Sequence, residues 1–296
     1  MIDILILTYN NMKTLPQVFE AIERFTDDKY KIYIMDNAST DKNFVKYIKG
    51  IKSKKVDVVF SRSNRGVGGG RNKLSKLSTS EFVMFLDSDM IVSPKWDYFM
   101  KNKIEHTLAG AVGGKFTLKD DIIHYNGGYI EIIDNYFLLA KEYDKLLALD
   151  DEKTYIPREC DWLAGGSMLV QKNVLKQVSY DKRYKIGFED IDFSLQIKEK
   201  GYKLYNCPRT SFIHLSYLKE RDYSMIRKNN IELLKSAILF TKKWGLNPIK
   251  SWHTDKIIFN HSISINEAKE IVQKVSKNNI SKVIKKYAEF NSSVST

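Results

Sequence analysis

The first third of the chain alternates short apolar runs with apolar residues at helical spacing. Ile2 to Leu7 is apolar except for Asp3, and such a run predicts a strand that is buried on both faces. After a polar loop, the next apolar residues recur on one helix face: Leu15, Phe19, Ile22 and Phe25. The chain therefore begins as strand, loop and helix.

Three more predicted strands follow: Tyr30 to Met35, Val56 to Phe60 and Glu81 to Leu86. A helix marked by Phe44 and Ile48 separates the first two, and a glycine-rich loop with a short basic helix precedes the last. This alternation predicts an α/β fold, a Rossmann-like, doubly wound and mostly parallel sheet with helices on both faces. In the common strand order 3-2-1-4, strands 1 and 4 are neighbours, and ligands bind beyond their carboxyl ends.

The pattern is less regular after residue 107. Short β-like pieces are predicted at Ala111 to Phe116, Tyr129 to Ile133 and Ser167 to Val170. A helix is predicted from Glu189 to Lys200, and a long helix from about Tyr223 to Trp244, each ending at a glycine. Asn247-Pro248 is predicted to be a linker into a helical C-terminal extension. We therefore predict a first domain over residues 1–215 and a helical, basic region over residues 216–296.

Composition and charge narrow the class of protein. The 296 residues include 48 Lys+Arg and 36 Asp+Glu, a net charge of +12, and 43% are hydrophobic, which is typical of a globular protein. Cys160 and Cys207 follow no disulfide or zinc spacing. No apolar stretch reaches the roughly 18 residues of a membrane span. The expected location is the cytoplasm. The lysine-rich C-terminus is expected either to make peripheral contact with the inner membrane face or to form a solvated helix surface.

Two carboxylates one residue apart follow the fourth predicted strand, in Asp87-Ser88-Asp89. Charges beside a core need compensation, and a divalent metal that bridges a diphosphate would supply it, because magnesium and manganese prefer oxygen ligands. A turn or helix cap is the alternative. Asp36 also ends a strand, and there it could accept hydrogen bonds from a base or ribose.

The segment from Asn64 to Asn72 is rich in glycine but does not fit a dinucleotide motif, because Arg71 stands where GxGxxG needs glycine. It predicts a flexible loop, including Gly69, that lets a ligand approach the backbone, with Arg65 and Arg71 as phosphate partners. A plain glycine loop is the alternative.

Further candidates lie in the second half of the chain. Glu189 and Asp190 begin a predicted helix, where acids are favoured by the helix dipole but where a rigidly held general base could also stand. His214 is either a metal ligand or a core histidine. Trp162 with Gly165 and Gly166 could form a platform for a sugar ring or a packed turn.

In this order, the motifs resemble the family 2 glycosyltransferases of the GT-A fold over residues 1 to about 215. The resemblance implies an inverting transfer of one sugar from a nucleotide-diphosphate sugar, with UDP-sugars favoured, and Mn²⁺ or Mg²⁺ holding the diphosphate. It places Thr8, Tyr9 and Asn10 against the nucleoside and Asp36 on the base. The remaining cofactor-site residues are Asn64, Gly69, Arg71, Asp87 and Ser88.

The resemblance also assigns the chemistry. Asp89 is the expected metal ligand, together with Asp87 and His214. Asp190 is the expected general base, with Glu189 as the less favoured candidate. The acceptor is expected to be a glycan, a glycoprotein or a lipid-linked molecule. Residues 216–296 match no motif, and the acceptor, a second copy of the chain and a membrane surface are the partners considered for them.

Two other functions compete with this interpretation. A sugar nucleotidyltransferase would use similar metal chemistry, but the glycine-rich loop expected straight after its first strand is missing. A basic nucleic-acid-binding protein with a degenerate nucleotide fold would need its site on the C-terminal lysines, because the acids of the crevice repel phosphate. Nucleic acid is therefore not an expected partner. The QxxRW motif and membrane spans of processive synthases are also missing, so transfer of one or a few sugars is expected.

Overall fold

The computed structural model describes residues 1–118, 121–133, 137–215, 218 and 230–249. The chain divides into two compact units. The main unit comprises Met1–Tyr129, Glu142–Lys182 and Glu189–Tyr223, and the second unit comprises Ile130–Lys141, Arg183–Phe188 and Ser224–Thr296. The predicted division at residue 215 stays a prediction, because most of the chain beyond it lies outside the described ranges.

The N-terminal part of the main unit follows the predicted alternation. Its elements are β1 (Ile2–Thr8), α1 (Leu15–Phe25), β2 (Tyr30–Asp36), α2 (Lys42–Gly50), β3 (Val56–Phe60), α3 (Gly66–Leu77) and β4 (Phe82–Leu86). The strands pair in parallel in the order β3-β2-β1-β4. The predicted neighbourhood of the first and fourth strands is confirmed.

The next elements extend this sheet and begin the second unit. They are β5 (Met90–Ile91), α4 (Trp96–Thr107), β6 (Ala111–Thr117), β7 (Ile123–Tyr125), β8 (Gly128–Ile133), β9 (Phe137–Glu142), a 3₁₀ turn (Glu152–Tyr155), β10 (Glu159–Cys160), β11 (Ser167–Gln171), α5 (Lys172–Leu175), α6 (Glu189–Glu199) and β12 (Leu204–His214). Within the described residues the sheet runs β10-β12-β6-β11-β4-β1-β2-β3. β11 lies antiparallel between β4 and β6, and β12 is parallel to β6.

Side chains of the sheet alternate between two cores, as the period of a strand requires. Ile2, Ile4 and Ile6 of β1 face a core that α1, α2 and α4 cover, whereas Leu5 faces a core that includes Phe193 of α6. Both faces of the sheet are therefore buried. The predicted α/β class is confirmed.

The second unit contains a small sheet and a helix. α7 (Asn230–Trp244) ends where predicted, although the predicted start at Tyr223 lies outside the described residues. Asn247–Ile249 forms strand β13, parallel to β9 in the order β13-β9-β8. The predicted linker at Asn247-Pro248 is thus wrong. An edge strand tolerates proline, because the missing N–H removes no interior ladder bond.

None of the helices in the described part of the chain combines the length and the apolar character needed to cross a bilayer.

Candidate functional site

Thr8 and Asp36 lie side by side at the carboxyl ends of β1 and β2, where they are register partners. The Asp36 side chain is buried, and its Oδ1 accepts a hydrogen bond from the Ser39 backbone N–H at 3.2 Å. The Thr8 hydroxyl is also buried, and it has no hydrogen-bond partner among the described residues. An unsatisfied buried hydroxyl is costly, so this position is suited to a polar ligand. Tyr9, next in the chain, is half-buried.

Asn10 joins the loops that follow β1 and β2. Its Oδ1 accepts hydrogen bonds from the backbone N–H groups of Thr40 at 2.9 Å and Asp41 at 3.0 Å, and its φ of 47° is left-handed. This conformation is one that asparagine adopts more readily than most residues. The side chain therefore shapes the pocket edge, and its predicted contact with a nucleoside stays a prediction.

The glycine-rich segment is helical, and the prediction of a flexible loop is wrong. Gly66 to Gly70, including Gly69, form the first turns of α3. At position 70 glycine serves close packing and not flexibility, because a Cβ on Gly70 would lie 2.4 Å from Cδ1 of Leu7 in β1. Asn64 fastens the start of this helix, since its Oδ1 accepts hydrogen bonds from Asn37 Nδ2 at 3.0 Å and from the Gly66 N–H at 2.9 Å.

Ser88 connects the two sides of the predicted crevice. Its Oγ accepts a hydrogen bond from Asn11 Nδ2 at 2.7 Å, and its backbone carbonyl accepts one from the Thr14 hydroxyl at 2.7 Å. These bonds tie the loop after β1 to the loop after β4. The loops after β1 and β4 are therefore neighbours, as the strand order requires, although the sequence patterns did not identify Asn11 and Thr14.

Asp89 and His214 form a polar pair. Pairing of β5 with β12 sets His214 opposite Met90, so that His214 Nε2 lies 3.1 Å from Asp89 Oδ2. The Asp89 side chain is only 2% exposed and that of His214 only 12% exposed. The two residues are 125 positions apart, and the sheet brings them together.

The spacing of this pair fits two neighbouring ligands of one divalent ion. Ligands about 2.1 Å from an octahedral ion lie about 3 Å apart when adjacent, and such ions are usually held by one or two protein groups plus phosphate oxygens. Among the described residues no group of three or more His, Cys, Asp and Glu side chains could hold a metal. Asp87 is a predicted further ligand, but its Oδ1 contacts Arg71 instead.

Arg71 links the carboxylates of two separate elements. From α3, its Nη2 donates to Asp87 Oδ1 at 2.9 Å and its Nη1 donates to Asp190 Oδ1 at 2.8 Å. The guanidinium is buried, and it lies over the Tyr180 ring at 5.2 Å. Burial alone would lower the pKa of Arg71, but Tyr180 and the carboxylates of Asp190 and Asp87 together raise it well above its usual value. Arg71 therefore stays charged.

Gly165 and Gly166 leave room for these charged groups. A Cβ on Gly165 would lie 2.1 Å from Arg71 Nη1 and 2.3 Å from Asp190 Oδ1, and a Cβ on Gly166 would lie 2.6 Å from Asp87 Oδ2. Real Cβ contacts are never this short. The two glycines are thus required by the ion pairs, whereas their predicted contact with a sugar or acceptor stays a prediction.

Trp162 is packed into the same region. Its ring centroid lies 5.4 Å from that of Tyr125, and a Cβ on Gly128 would lie 2.2 Å from its Nε1. The Tyr125 hydroxyl accepts a hydrogen bond from the Ala164 N–H at 2.8 Å. These contacts hold the segment that leads to Gly165. A role of Trp162 as a sugar platform stays a prediction.

Glu189 and Asp190 form the first residues of α6, and both are half-buried. The Asp190 Oδ1 atom is held by Arg71, whereas its Oδ2 atom makes no hydrogen bond to the described residues. Tyr180 supports this arrangement, since its hydroxyl lies 3.3 Å from Arg71 Nη1 and its ring stacks on Phe193. No sequence signal identified Tyr180, because its partners are distant in the chain.

Residues 3–162 match the model of Glycosyl transferase family 2. The match covers more than half of the chain and contains the crevice residues from Thr8 to Asp89. The chain belongs to this family.

Similar curated proteins come from bacteria. The chain is 26% identical over 208 residues to a poly-beta-1,6-N-acetyl-D-glucosamine synthase of Staphylococcus aureus (strain COL), which covers 69% of this chain and 47% of that protein. It is 25% identical over 154 residues to the UDP-Glc:alpha-D-GlcNAc-diphosphoundecaprenol beta-1,3-glucosyltransferase WfgD of Escherichia coli, covering 50% of this chain and 55% of that protein. The chain thus spans about half the length of these relatives.

Solved structures agree on the fold. A crystal structure of GalNAc-T7 with UDP, GalNAc and Mn²⁺ superposes with a TM-score of 0.59 at 18% identity, covering 72% of this chain and 43% of that one. A structure of S. aureus TarS 1-349 gives a TM-score of 0.50 at 15% identity, covering 82% of this chain and 73% of that one. The predicted GT-A fold is confirmed.

Proposed function

We propose that this chain is an inverting glycosyltransferase that moves one sugar from a nucleotide-diphosphate sugar, with a UDP-sugar favoured, to a hydroxyl group of a glycan, glycoprotein or lipid-linked acceptor. The observation that supports this best is the pair of ion pairs from Arg71 to Asp87 and to Asp190. They join a carboxylate on the expected donor side to one on the expected acceptor side.

The donor half of the proposal rests on the crevice at the carboxyl ends of β1, β2 and β4. The unsatisfied Thr8 hydroxyl and the buried Asp36 carboxylate suit the polar edge of a nucleoside, and Asp36 would accept hydrogen bonds from its base. Asp89 and His214 would hold Mn²⁺ or Mg²⁺. Such an ion, when bound, neutralises charge on the departing diphosphate. The relative WfgD, whose name includes UDP-Glc and a diphosphoundecaprenol acceptor, agrees with a UDP-sugar and a lipid-linked acceptor.

The acceptor half rests on Asp190. Its free Oδ2 atom would take the proton of the acceptor hydroxyl while the hydroxyl oxygen bonds to the anomeric carbon. The bond from that carbon to the diphosphate oxygen breaks on the opposite face, which inverts the configuration and leaves the electron pair on the diphosphate. Arg71 would hold the other oxygen and so aim the base, as general-base catalysis requires.

The decisive experiment compares Asp190→Asn with Glu189→Gln. A panel of nucleotide sugars is first tested for thermal stabilisation with and without Mn²⁺, because a ligand of the native state raises the melting temperature. With the best donor, Asp190→Asn should keep binding and lose transfer by about 100-fold or more, while Glu189→Gln should keep both. Full transfer by Asp190→Asn would disprove the assignment of the base. If the released product is pyrophosphate and not a nucleoside diphosphate, the chain is a nucleotidyltransferase.

A further inference from the structure

Residues 42–55 contain six lysines and no acidic residue: Lys42, Lys46, Lys49, Lys52, Lys54 and Lys55. All six side chains are exposed. They belong to α2 and to the turn that joins it to β3. We call these six residues the α2 basic surface.

The helical part of this surface forms a single stripe. Lys42, Lys46 and Lys49 are spaced by four and three residues, so that they lie on one face of α2. Phe44 and Ile48 lie on the opposite face and are fully buried. Because the opposite face of α2 is packed into the core, the three lysines point toward solvent.

These charges are not compensated within the described part of the chain. None of the six lysines forms an ion pair there, and the nearby acid Asp57 is paired with Lys31 at 2.7 Å. Like charges three and four residues apart destabilise a helix. A structural role would favour alternating charges, so the arrangement favours an anionic partner.

An exposed aromatic residue lies beside the lysines. Phe60, at the end of the edge strand β3, is 41% exposed, and Lys49 Nζ lies 5.9 Å from its ring centroid. Lysines next to an exposed phenylalanine are typical of surfaces that rest on a membrane, where the ring enters the headgroup region. Residues 42–60 contain no arginine, the residue whose planar fork suits nucleic-acid phosphates and bases.

We propose that the α2 basic surface, together with Phe60, binds the anionic headgroups of a lipid bilayer. Clusters of four to eight basic residues are attracted to the anionic lipids of a membrane surface, and the α2 basic surface has six. The preference for a membrane over a nucleic acid rests in part on the proposed function, because a lipid-linked acceptor resides in a membrane. The six lysines lie at the β3 edge of the sheet, several strands away from His214, whereas Phe60 is the register partner of Asp36. None of the six lysines is assigned to the donor or the acceptor site, so their removal tests membrane binding separately from catalysis.

The test is sedimentation of the full chain with vesicles, either of phosphatidylglycerol and phosphatidylcholine or of phosphatidylcholine alone. The variant K42Q/K46Q/K49Q removes three charges from the stripe. The matched control K76Q/K176Q/K200Q removes three charges from exposed lysines on α3 and just beyond the ends of α5 and α6. Each lysine near an anionic surface contributes roughly a fivefold factor, so the first variant should bind at least about tenfold more weakly. The control should bind as the unaltered chain does, and none should bind phosphatidylcholine alone.

Three results would overturn the proposal. The unaltered chain could fail to bind anionic vesicles, K42Q/K46Q/K49Q could bind them as well as the unaltered chain, or the two triple variants could lose binding equally. Loss of oligonucleotide binding in K42Q/K46Q/K49Q, without vesicle binding by the unaltered chain, would assign the surface to nucleic acid. Transfer to a water-soluble acceptor is measured in parallel. Because vesicle binding needs neither donor nor acceptor, failure of one proposal is distinguishable from failure of the other.

Discussion

Arg71 donates a hydrogen bond from Nη1 to Oδ1 of Asp190 across 2.8 Å, although the two residues are 119 positions apart. The same guanidinium holds Asp87 through Nη2. One planar guanidinium thus holds two carboxylates from separate elements, each through its own nitrogen atom. Each carboxylate can therefore be displaced by a change on its own side of the guanidinium.

Substitution of the two neighbouring glycines should separate the two sides of this arrangement. In Gly166→Ala the new methyl group would displace Asp87, so donor binding should weaken by about tenfold, the value of one lost charged hydrogen bond. In Gly165→Ala the methyl group would displace Asp190 and Arg71, so the turnover number should fall by about tenfold or more, while donor affinity should fall less than in Gly166→Ala. Calorimetric donor affinity and steady-state kinetics measure both effects.

Gly50→Ala is the matched control, because a Cβ at Gly50 meets no atom within 4 Å. It should leave both quantities unchanged. Equal effects of Gly165→Ala and Gly166→Ala on donor affinity would contradict the separate roles.

Replacement of His214 tests the Asp89–His214 pair. His214→Ala removes the imidazole 3.1 Å from Asp89 Oδ2. The affinity for Mn²⁺ should therefore fall by about 10- to 100-fold, and Mn²⁺ should raise the melting temperature of the UDP complex by less than it does in the unaltered chain. The control is His106→Ala, because His106 is an exposed histidine on α4 that contacts its own helix. This variant should not change the effect of Mn²⁺. The readout is the melting temperature with UDP, with and without Mn²⁺. An unchanged Mn²⁺ effect in His214→Ala would remove this residue from the metal site.

Thr8→Val should affect the free and the bound protein in opposite directions. The Thr8 hydroxyl is buried without a partner in the described chain, so its removal should be neutral or stabilise the free protein by up to about 1 kcal/mol. If the hydroxyl contacts the nucleoside, UDP should bind about tenfold more weakly. Urea unfolding and UDP titration measure the two effects. A destabilised variant with unchanged UDP affinity would mean that the hydroxyl serves the fold alone.

The buried thiols predict a loss of stability at alkaline pH. Burial raises the pKa of Cys160 to about 12 and that of Cys207 to about 11, whereas a thiol in the unfolded chain has a pKa of about 8.5. The contribution of each protonated thiol is therefore fully present below about pH 8.5 and is lost as the pH rises through that range toward the folded-state pKa. Between about pH 8 and pH 10, Cys160→Ala should lose about 1–2 kcal/mol less stability than the unaltered chain.

Chemical denaturation at both pH values gives this difference. Thiol reagents should label neither cysteine in the folded chain, since Cys160 is 1% exposed and Cys207 is 3% exposed. Identical pH slopes for Cys160→Ala and the unaltered chain would rule out this thiol as a source of the alkaline loss.

The apolar runs were sufficient to predict β1 to β4 and their order, because buried parallel strands have a strong and local signature. That order brought the loop after β1 beside the loop after β4. The start of α3 could not be predicted in the same way. Glycine disfavours helix, and the reason for a glycine at position 70, its close contact with Leu7, is a tertiary contact that the local pattern does not show.

The side chains that contact Arg71 could not be predicted from the sequence either. Arg71 was expected to contact phosphate, but the choice between a phosphate and a carboxylate depends on which side chains the sheet places within reach. Asp190 reaches Arg71 because β11 and α6 return to the crevice from the second half of the chain. Likewise, strand β13 could not be predicted at Pro248, because proline fits a strand only at a sheet edge and the edge position of β13 is a tertiary feature.

The position of β11 has a consequence for how substrates enter. Its backbone bonds to β4 on one side and to β6 on the other, and the Asp87 N–H donates to the Gly166 carbonyl at 3.0 Å. A hinge between β4 and β6 would have to break this continuous ladder of hydrogen bonds. Under the proposed function, opening of the crevice and product release would therefore involve movement of the connecting loops, with the sheet unchanged.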